Sequence, residues 1–261
     1  MNSCFEFRIY QPKKYLAAYL QAVWSASVPC NAQSVARWLH SDGSSGVLFN
    51  LNGPILVDGV KYSTGIFLLP ISKQAHSVFL PAGAQLAGLR FHPAIAFGIW
   101  RKHYEKPTAL KIENDFAATL QLVFNRLVAT NGHNARITIL YRWLSSTINF
   151  SNVAPDSLIE VLNIMRNNQE LGQLCKPHIS LSQRQLERQF KRWVNMTPKY
   201  YQRILRVKNS LNFLKHNPET DLAELALNHG FTDQAHMTRE FKQIAKITPK
   251  RYGKLVANRY S

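Results

Sequence analysis

The chain changes its hydrophobic period near residue 93. Before that point apolar residues come in short runs: Phe5 to Tyr10 alternates, and Gly46 to Leu51, Gly65 to Leu69 and Gln85 to Phe91 are apolar stretches bounded by Gly, Pro, Asn or Ser. Runs of this length and punctuation predict strands. After Pro93 the spacing becomes helical, with Phe116, Leu120, Val123, Phe124 and Leu127 on one stripe and Ile137, Leu140, Tyr141 and Leu144 on another, two helices of about three turns each. Asn149 to Pro155 breaks that period with turn formers and a proline, which places a joint there. From Asp156 onward the pattern is helical throughout, with Pro177, Pro198, Pro218 and Pro249 falling between the expected helices.

The helical half states one pattern twice, 51 residues apart. Leu171 and Leu174 recur as Leu222 and Leu225; Leu186, Arg188, Phe190 and Lys191 recur as Met237, Arg239, Phe241 and Lys242; Thr197, Pro198, Lys199 and Tyr201 recur as Thr248, Pro249, Lys250 and Tyr252. Shared spacing over so many positions predicts one supersecondary unit used in tandem, a helix, a turn and a second helix. In the first unit, Ser182 with Gln185 makes a capping box, so the second helix starts at Ser182 and runs to about Val194. Leu186, Phe190 and Trp193 should pack inward, leaving Arg184, Gln185, Arg188 and Lys191 outward. In the second unit Asp221 and Glu224 open the first helix, Gly230 sits in the turn and Thr232-Asp233 cap the next helix. Met237, Phe241 and Ile244 should face inward, with Gln234, Ala235, Thr238, Arg239 and Lys242 outward and His236 beside them. Between the units, Pro198 suits a first helical position and Asn217-Pro218 an end, predicting one connecting helix from Pro198 to Lys215.

Charge gives these outward faces a partner. The 261 residues carry 32 Lys and Arg against 15 Asp and Glu, a net +17. Leu171 to His216 has ten basic residues and one acid, Glu187, so +9 of the excess lies in and just after the first repeat, while Asn217 to Ser261 has seven against five, or +2. A strongly basic balance favours a polyanion, and a basic helix-turn-helix favours duplex DNA. Arginine can donate two hydrogen bonds to guanine O6 and N7, Gln can pair with adenine, and Ala235 can only touch a thymine methyl. The candidate DNA-binding residues are therefore Gln183, Arg184, Gln185, Arg188, Lys191 and Arg192 in the first unit, with Gln234, Ala235, His236, Thr238, Arg239 and Lys242 in the second.

Other chemistry is not suggested. Cys4, Cys30 and Cys175 are scattered without CxxC spacing, which fits a reducing cytoplasm and neither a disulfide framework nor a zinc site. His40, His76 and His92 lack a close His-x-His pair and read as satisfied or solvent-facing histidines, so no metal and no cofactor is expected. Trp24, Trp38, Phe49, Phe67, Phe79 and Trp100 read as core, and Arg90 as a partner for an acidic effector or a buried acid. No Ser-His-Asp order, nucleotide loop or paired carboxylates stand out, so an enzyme is not expected. Neither a signal-peptide core nor an apolar run of about 18 residues is present, so no membrane association is expected.

From about Asp156 to Tyr260 the chain resembles the DNA-binding domain of AraC/XylS-type transcription regulators. The residues that carry this are Ala223-Glu224-Leu225-Ala226, Gly230-Phe231-Thr232-Asp233-Gln234, Phe241-Lys242 and Thr248-Pro249. By that resemblance Arg184, Arg188, Gln234, Ala235 and Arg239 stand where family members contact bases, although Ala235 departs from the usual polar residue. Lys176-Pro177-His178-Ile179 in the first copy departs from the glycine turn that the second copy keeps, which predicts a longer or kinked turn.

The front half resembles the sensor domains that precede this module, through Leu89-Arg90-Phe91-His92-Pro93 and Trp24. The implied fold is α+β: a β-barrel-like (cupin-like) domain with following helices over about 95–148, then an all-α domain with two helix-turn-helix units joined by a long helix. The implied domains are 1–150, regulatory, and 156–261, DNA-binding, with units at about 171–194 and 222–245. The resemblance further implies an effector-responsive activator, a small-molecule effector, RNA polymerase and a homodimer contact through 116–148. A non-specific architectural DNA binder is the alternative; a DNA-targeted enzyme is a weaker one.

Overall fold

The computed structural model describes residues 5–148, 150, 153–167 and 181–260. The chain divides into two compact units, one comprising Met1–Trp38, Ser44–Ile71 and Ser77–Asp156, the other Leu39–Gly43, Ser72–His76 and Ser157–Ser261.

The first unit is built on strands β1 (Glu6–Tyr10), β2 (Leu20–Ser27), β3 (Val35–Leu39), β4 (Ser45–Asn52), β5 (Ile55–Val57), β6 (Val60–Tyr62), β7 (Gly65–Leu69), β8 (His76–Leu80), β9 (Gln85–Phe91) and β10 (Thr108–Ala109). Among the described residues they form two sheets, a six-stranded one ordered β1-β2-β9-β4-β7-β10 and a four-stranded one ordered β3-β8-β5-β6. The β-rich front expected from the sequence is present, but as two sheets and not as a closed barrel. Ala26, Leu48, Phe67 and Leu86 of the larger sheet share one core with Val35, Ile55, Val78 and Leu80 of the smaller.

The opposite face of the larger sheet is covered by α2 (Asp115–Val128) and α3 (His133–Thr147), which follow a short helix α1 (Ile95–Trp100). With both faces covered, β4 is buried from Ser45 to Leu51. A strand enclosed on both sides has no polar face to alternate with, which is why it reads as a continuous apolar run. The two covering helices run to 14 and 15 residues, a turn longer than their apolar stripes predict. Asn114 caps α2, its side chain accepting from the Ala117 N–H.

Of the aromatic residues expected in the core, Phe49 and Phe67 are buried, while Trp38 and Phe79 are exposed. Val35, Val78 and Leu80 point inward, so strand alternation turns Trp38 and Phe79 to the outer face of the smaller sheet. The Arg90 Nε donates to Ser44 Oγ at 2.8 Å.

The described elements of the second unit beyond residue 156 are helical: α4 (Asp156–Arg166), α5 (Gln183–Gln189), α6 (Pro198–His216), α7 (Leu222–Asn228), α8 (Gln234–Ile244) and α9 (Pro249–Tyr260). The expected first helix of the first repeat, with Leu171 and Leu174, and its Pro177 turn lie outside the described residues. No described helix is long and apolar enough to cross a membrane.

Candidate nucleic-acid interface

The first of the two candidate reading helices begins where the capping box places it. The Gln185 N–H donates to Ser182 Oγ at 3.3 Å, and the Ser182 N–H donates to Gln185 Oε1 at 2.8 Å. Its α-helical part is shorter than expected: α5 ends at Gln189 and continues as a π-helical turn, Phe190–Val194. That turn lets Phe190, Trp193 and Val194 all be buried, whereas Leu186 is only half-buried. The opposite face is open: Gln183, Arg184, Gln185, Arg188, Lys191 and Arg192 are all exposed. Among them, Gln185 is engaged through its cap, Gln183 through a 3.1 Å bond from Nε2 to Glu187, and the Arg192 guanidinium lies 5.8 Å from the Trp193 ring centre.

The second helix-turn-helix is described in full. Asp221 opens α7 by accepting from the N–H groups of Ala223 at 2.7 Å and Glu224 at 3.0 Å. Those backbone donors, Glu224 foremost, hold its carboxyl below the usual carboxylate range. The turn then needs a left-handed residue, supplied by Gly230 at φ 74°. The Phe231 N–H closes the turn on Ala226 O at 2.9 Å. Asp233 caps α8, its Oδ1 accepting from the His236 N–H at 2.6 Å. Met237, Phe241 and Ile244 are buried as expected, and Gln234, Ala235, Arg239 and Lys242 are exposed. Thr238 is half-buried.

His236 is also half-buried and turned back on its own helix. Its Nδ1 accepts from the Thr232 N–H at 3.2 Å, which leaves the ring proton on Nε2 to be donated to Glu240 Oε1 at 3.2 Å. It braces the start of α8 more than it presents a free edge.

The connector α6 spans 19 residues, opened by Thr197, whose side chain accepts from the Tyr200 N–H. At about 1.5 Å per residue it is about 29 Å long. Tyr201 on its inner face is fully buried, and burial pushes its phenol up, with Arg166 opposing that shift. The repeat persists in the backbone: Thr248 caps α9 as Thr197 caps α6, and Asn195 and Lys246 both take positive φ just after their reading helices.

Residues 178–254 match the model of the helix-turn-helix domain family. This segment is a helix-turn-helix domain. Its helix-turn-helix character is shared with an uncharacterized HTH-type transcriptional regulator, YdeC of Bacillus subtilis (strain 168), to which the chain is 35% identical over 75 residues, 29% of this chain and 25% of that protein. The chain thus spans about a quarter of the length of the curated relative it matches. Among solved structures it is similar to ToxT from Vibrio cholerae O395, at a TM-score of 0.45 and 13% identity over 98% of this chain and 99% of ToxT. It is also similar to the AraC-like transcriptional activator CuxR, at a TM-score of 0.33 and 9% identity over 99% and 88%.

One residue of the helix-turn-helix domain that sequence reasoning missed is Glu240. It is an acid in a basic run, yet only 4% exposed, and it lies on the stripe of Met237, Phe241 and Ile244. That position on the helical wheel was the available signal.

Proposed function

We propose that this protein is a sequence-specific, DNA-binding transcription regulator whose two helix-turn-helix units read adjacent major-groove segments on one side of a duplex. The observation that carries this is the pair of capped helices, α5 and α8, each with an arginine exposed at the same repeat position, Arg188 and Arg239, on a chain of net charge +17. The connector length supports it, because successive major-groove faces lie about 34 Å apart.

The front unit is the regulatory part in this reading. It contains a cavity of about 680 Å³ walled by Leu68, Ile99 and Phe116, with Arg101, Lys102 and Lys111 also lining it. That volume suits a small-molecule effector. Activation through RNA polymerase is the sign that the family resemblance implies.

The test is selection of duplexes from random-sequence DNA by the full chain, followed by fluorescence anisotropy on the enriched duplex and on random duplex across salt concentrations. The expected result is preference for the enriched duplex, reduced about tenfold or more by Arg188→Ala or Arg239→Ala, with affinity for both falling steeply as salt rises. No enrichment, with equal binding to all duplexes, would mark a non-specific architectural binder instead.

A further inference from the structure

The connector and the second reading helix are joined by charge. Arg203 Nε donates to Glu240 Oε1 at 2.7 Å, while its Nη2 donates to the Gln243 side-chain oxygen. Its guanidinium also lies 5.2 Å from the Tyr200 ring centre. One turn further along α6, Arg206 Nη1 donates to the Gly230 carbonyl at 3.0 Å, and Nη2 lies 3.6 Å from Glu240 Oε2, an ion pair longer than a hydrogen bond. Arg206 also sits 5.4 Å from the Phe231 ring centre. Glu240 is therefore the buried acid on which two arginines and His236 converge.

This arrangement constrains something that apolar packing does not. Met237, Phe241 and Ile244 hold α8 against its neighbours, but hydrophobic contact is non-directional. A planar guanidinium that grips positions 240 and 243, one turn apart on the same helix, opposes rotation of α8 about its own axis. Arg206 ties the turn before α8 to the same carboxylate. Arg239, the neighbour of Glu240 on the outer side, takes its direction from that rotation. Base readout needs donors held to within about 0.5 Å of their productive positions.

The repeat supplies an internal contrast. The position 51 residues before Glu240 is Gln189, a neutral residue whose Oε1 is buried without a hydrogen-bond partner among the described residues. The first reading helix has no carboxylate at the place where the second has its anchor.

We infer that Glu240, held by Arg203 and Arg206, is a positioning residue that sets the base specificity of the second reading helix α8 without touching DNA. The inference rests on the reading of α8 as a base-reading helix.

The experiment uses the full chain and the duplex enriched by the wild-type protein, with each base pair substituted in turn. Arg239→Ala marks the half-site read by α8, and Arg188→Ala marks the one read by α5. Glu240→Gln is expected to reduce discrimination about tenfold in the α8 half-site and to leave the α5 half-site within about twofold of wild type. Affinity for random duplex should be unchanged or higher, because removing the acid adds net positive charge, whereas a folding defect would lower it. Arg203→Gln, on the opposite helix, should give the same half-site pattern. Equal losses in both half-sites, or none in either, would overturn the inference.

If the wild-type protein enriches no sequence, the regulator reading fails by itself. Amide hydrogen exchange of the free chain then decides the anchor. Faster exchange confined to Thr232 through Ile244 in Glu240→Gln supports it, and uniform or unchanged exchange refutes it.

Discussion

Asn195 and Lys246 stand 51 residues apart and share a left-handed backbone, with φ of 49° and 57°. Each follows the second helix of its repeat and precedes a Thr-Pro cap, so the repeat fixes a conformation even where the residue types differ. Asn adopts that region at less cost than Lys. Lys246→Gly should therefore stabilise the helical unit by about 1 kcal/mol, and Asn195→Gly should change it little. Urea denaturation of the full chain checks both, and equal effects would count against the backbone argument.

Asp221 gives the second helix-turn-helix an acid-side limit. Its folded carboxyl is held below the usual carboxylate range by the Glu224 and Ala223 N–H groups. A lowered acid stabilises the fold above its unfolded value, and that stabilisation is lost as pH falls through the folded one. Asn can still accept those bonds but cannot titrate. Asp221→Asn should thus flatten the fall in melting temperature below about pH 4, and an unchanged slope would show that this cap does not titrate with folding.

Tyr201 sets the opposite limit. Its phenol is raised above 10.0 mainly by burial, and its hydroxyl has no hydrogen-bond partner among the described residues. A group raised on folding contributes fully below its unfolded value and loses that contribution as pH climbs toward the folded one. Tyr201→Phe should lessen the loss of stability above about pH 10. At neutral pH it should be neutral or stabilising by up to about 1 kcal/mol, because it removes a buried unpaired hydroxyl. Thermal melts of the two proteins across that range provide the comparison.

Gly98 is fixed by close approach. A Cβ there would lie 1.8 Å from the carbonyl oxygen of Val153, a backbone atom that cannot swing aside. Gly98→Ala should cost the front unit about 1 to 3 kcal/mol. Differential scanning calorimetry would register this as a lowered transition, and an unshifted one would mean that the backbone yields easily.

Where local chemistry terminates an element, the sequence was informative. Thr197 and Pro198 mark the start of α6, and its end at His216 lies one residue from the expected Lys215. The capping box at Ser182 was legible for the same reason. Strand β2 was not, because it is enclosed between layers and its burial follows no simple alternation. The two-sheet arrangement was hidden too, since pairings such as β5 with β8 join residues far apart in the chain. At the interface, the outward arginines followed from helical spacing, but the contact of Glu240 with Arg203 did not. The pair is separated by 37 residues and exists only once α8 lies against α6.

The unbroken course of α6 makes the distance between the two reading helices a matter of phase as well as length. Each residue added to it would turn everything downstream by about 100° and push it about 1.5 Å. A single insertion would swing α8 onto the wrong side of the connector. Seven would return it to within about 20° while lengthening the helix by about 10 Å. Under the proposed two-site reading, operator spacing would be quantised: additions to α6 close to whole turns, such as about seven or eleven residues, would keep α8 in phase, and the intermediate lengths would be silent.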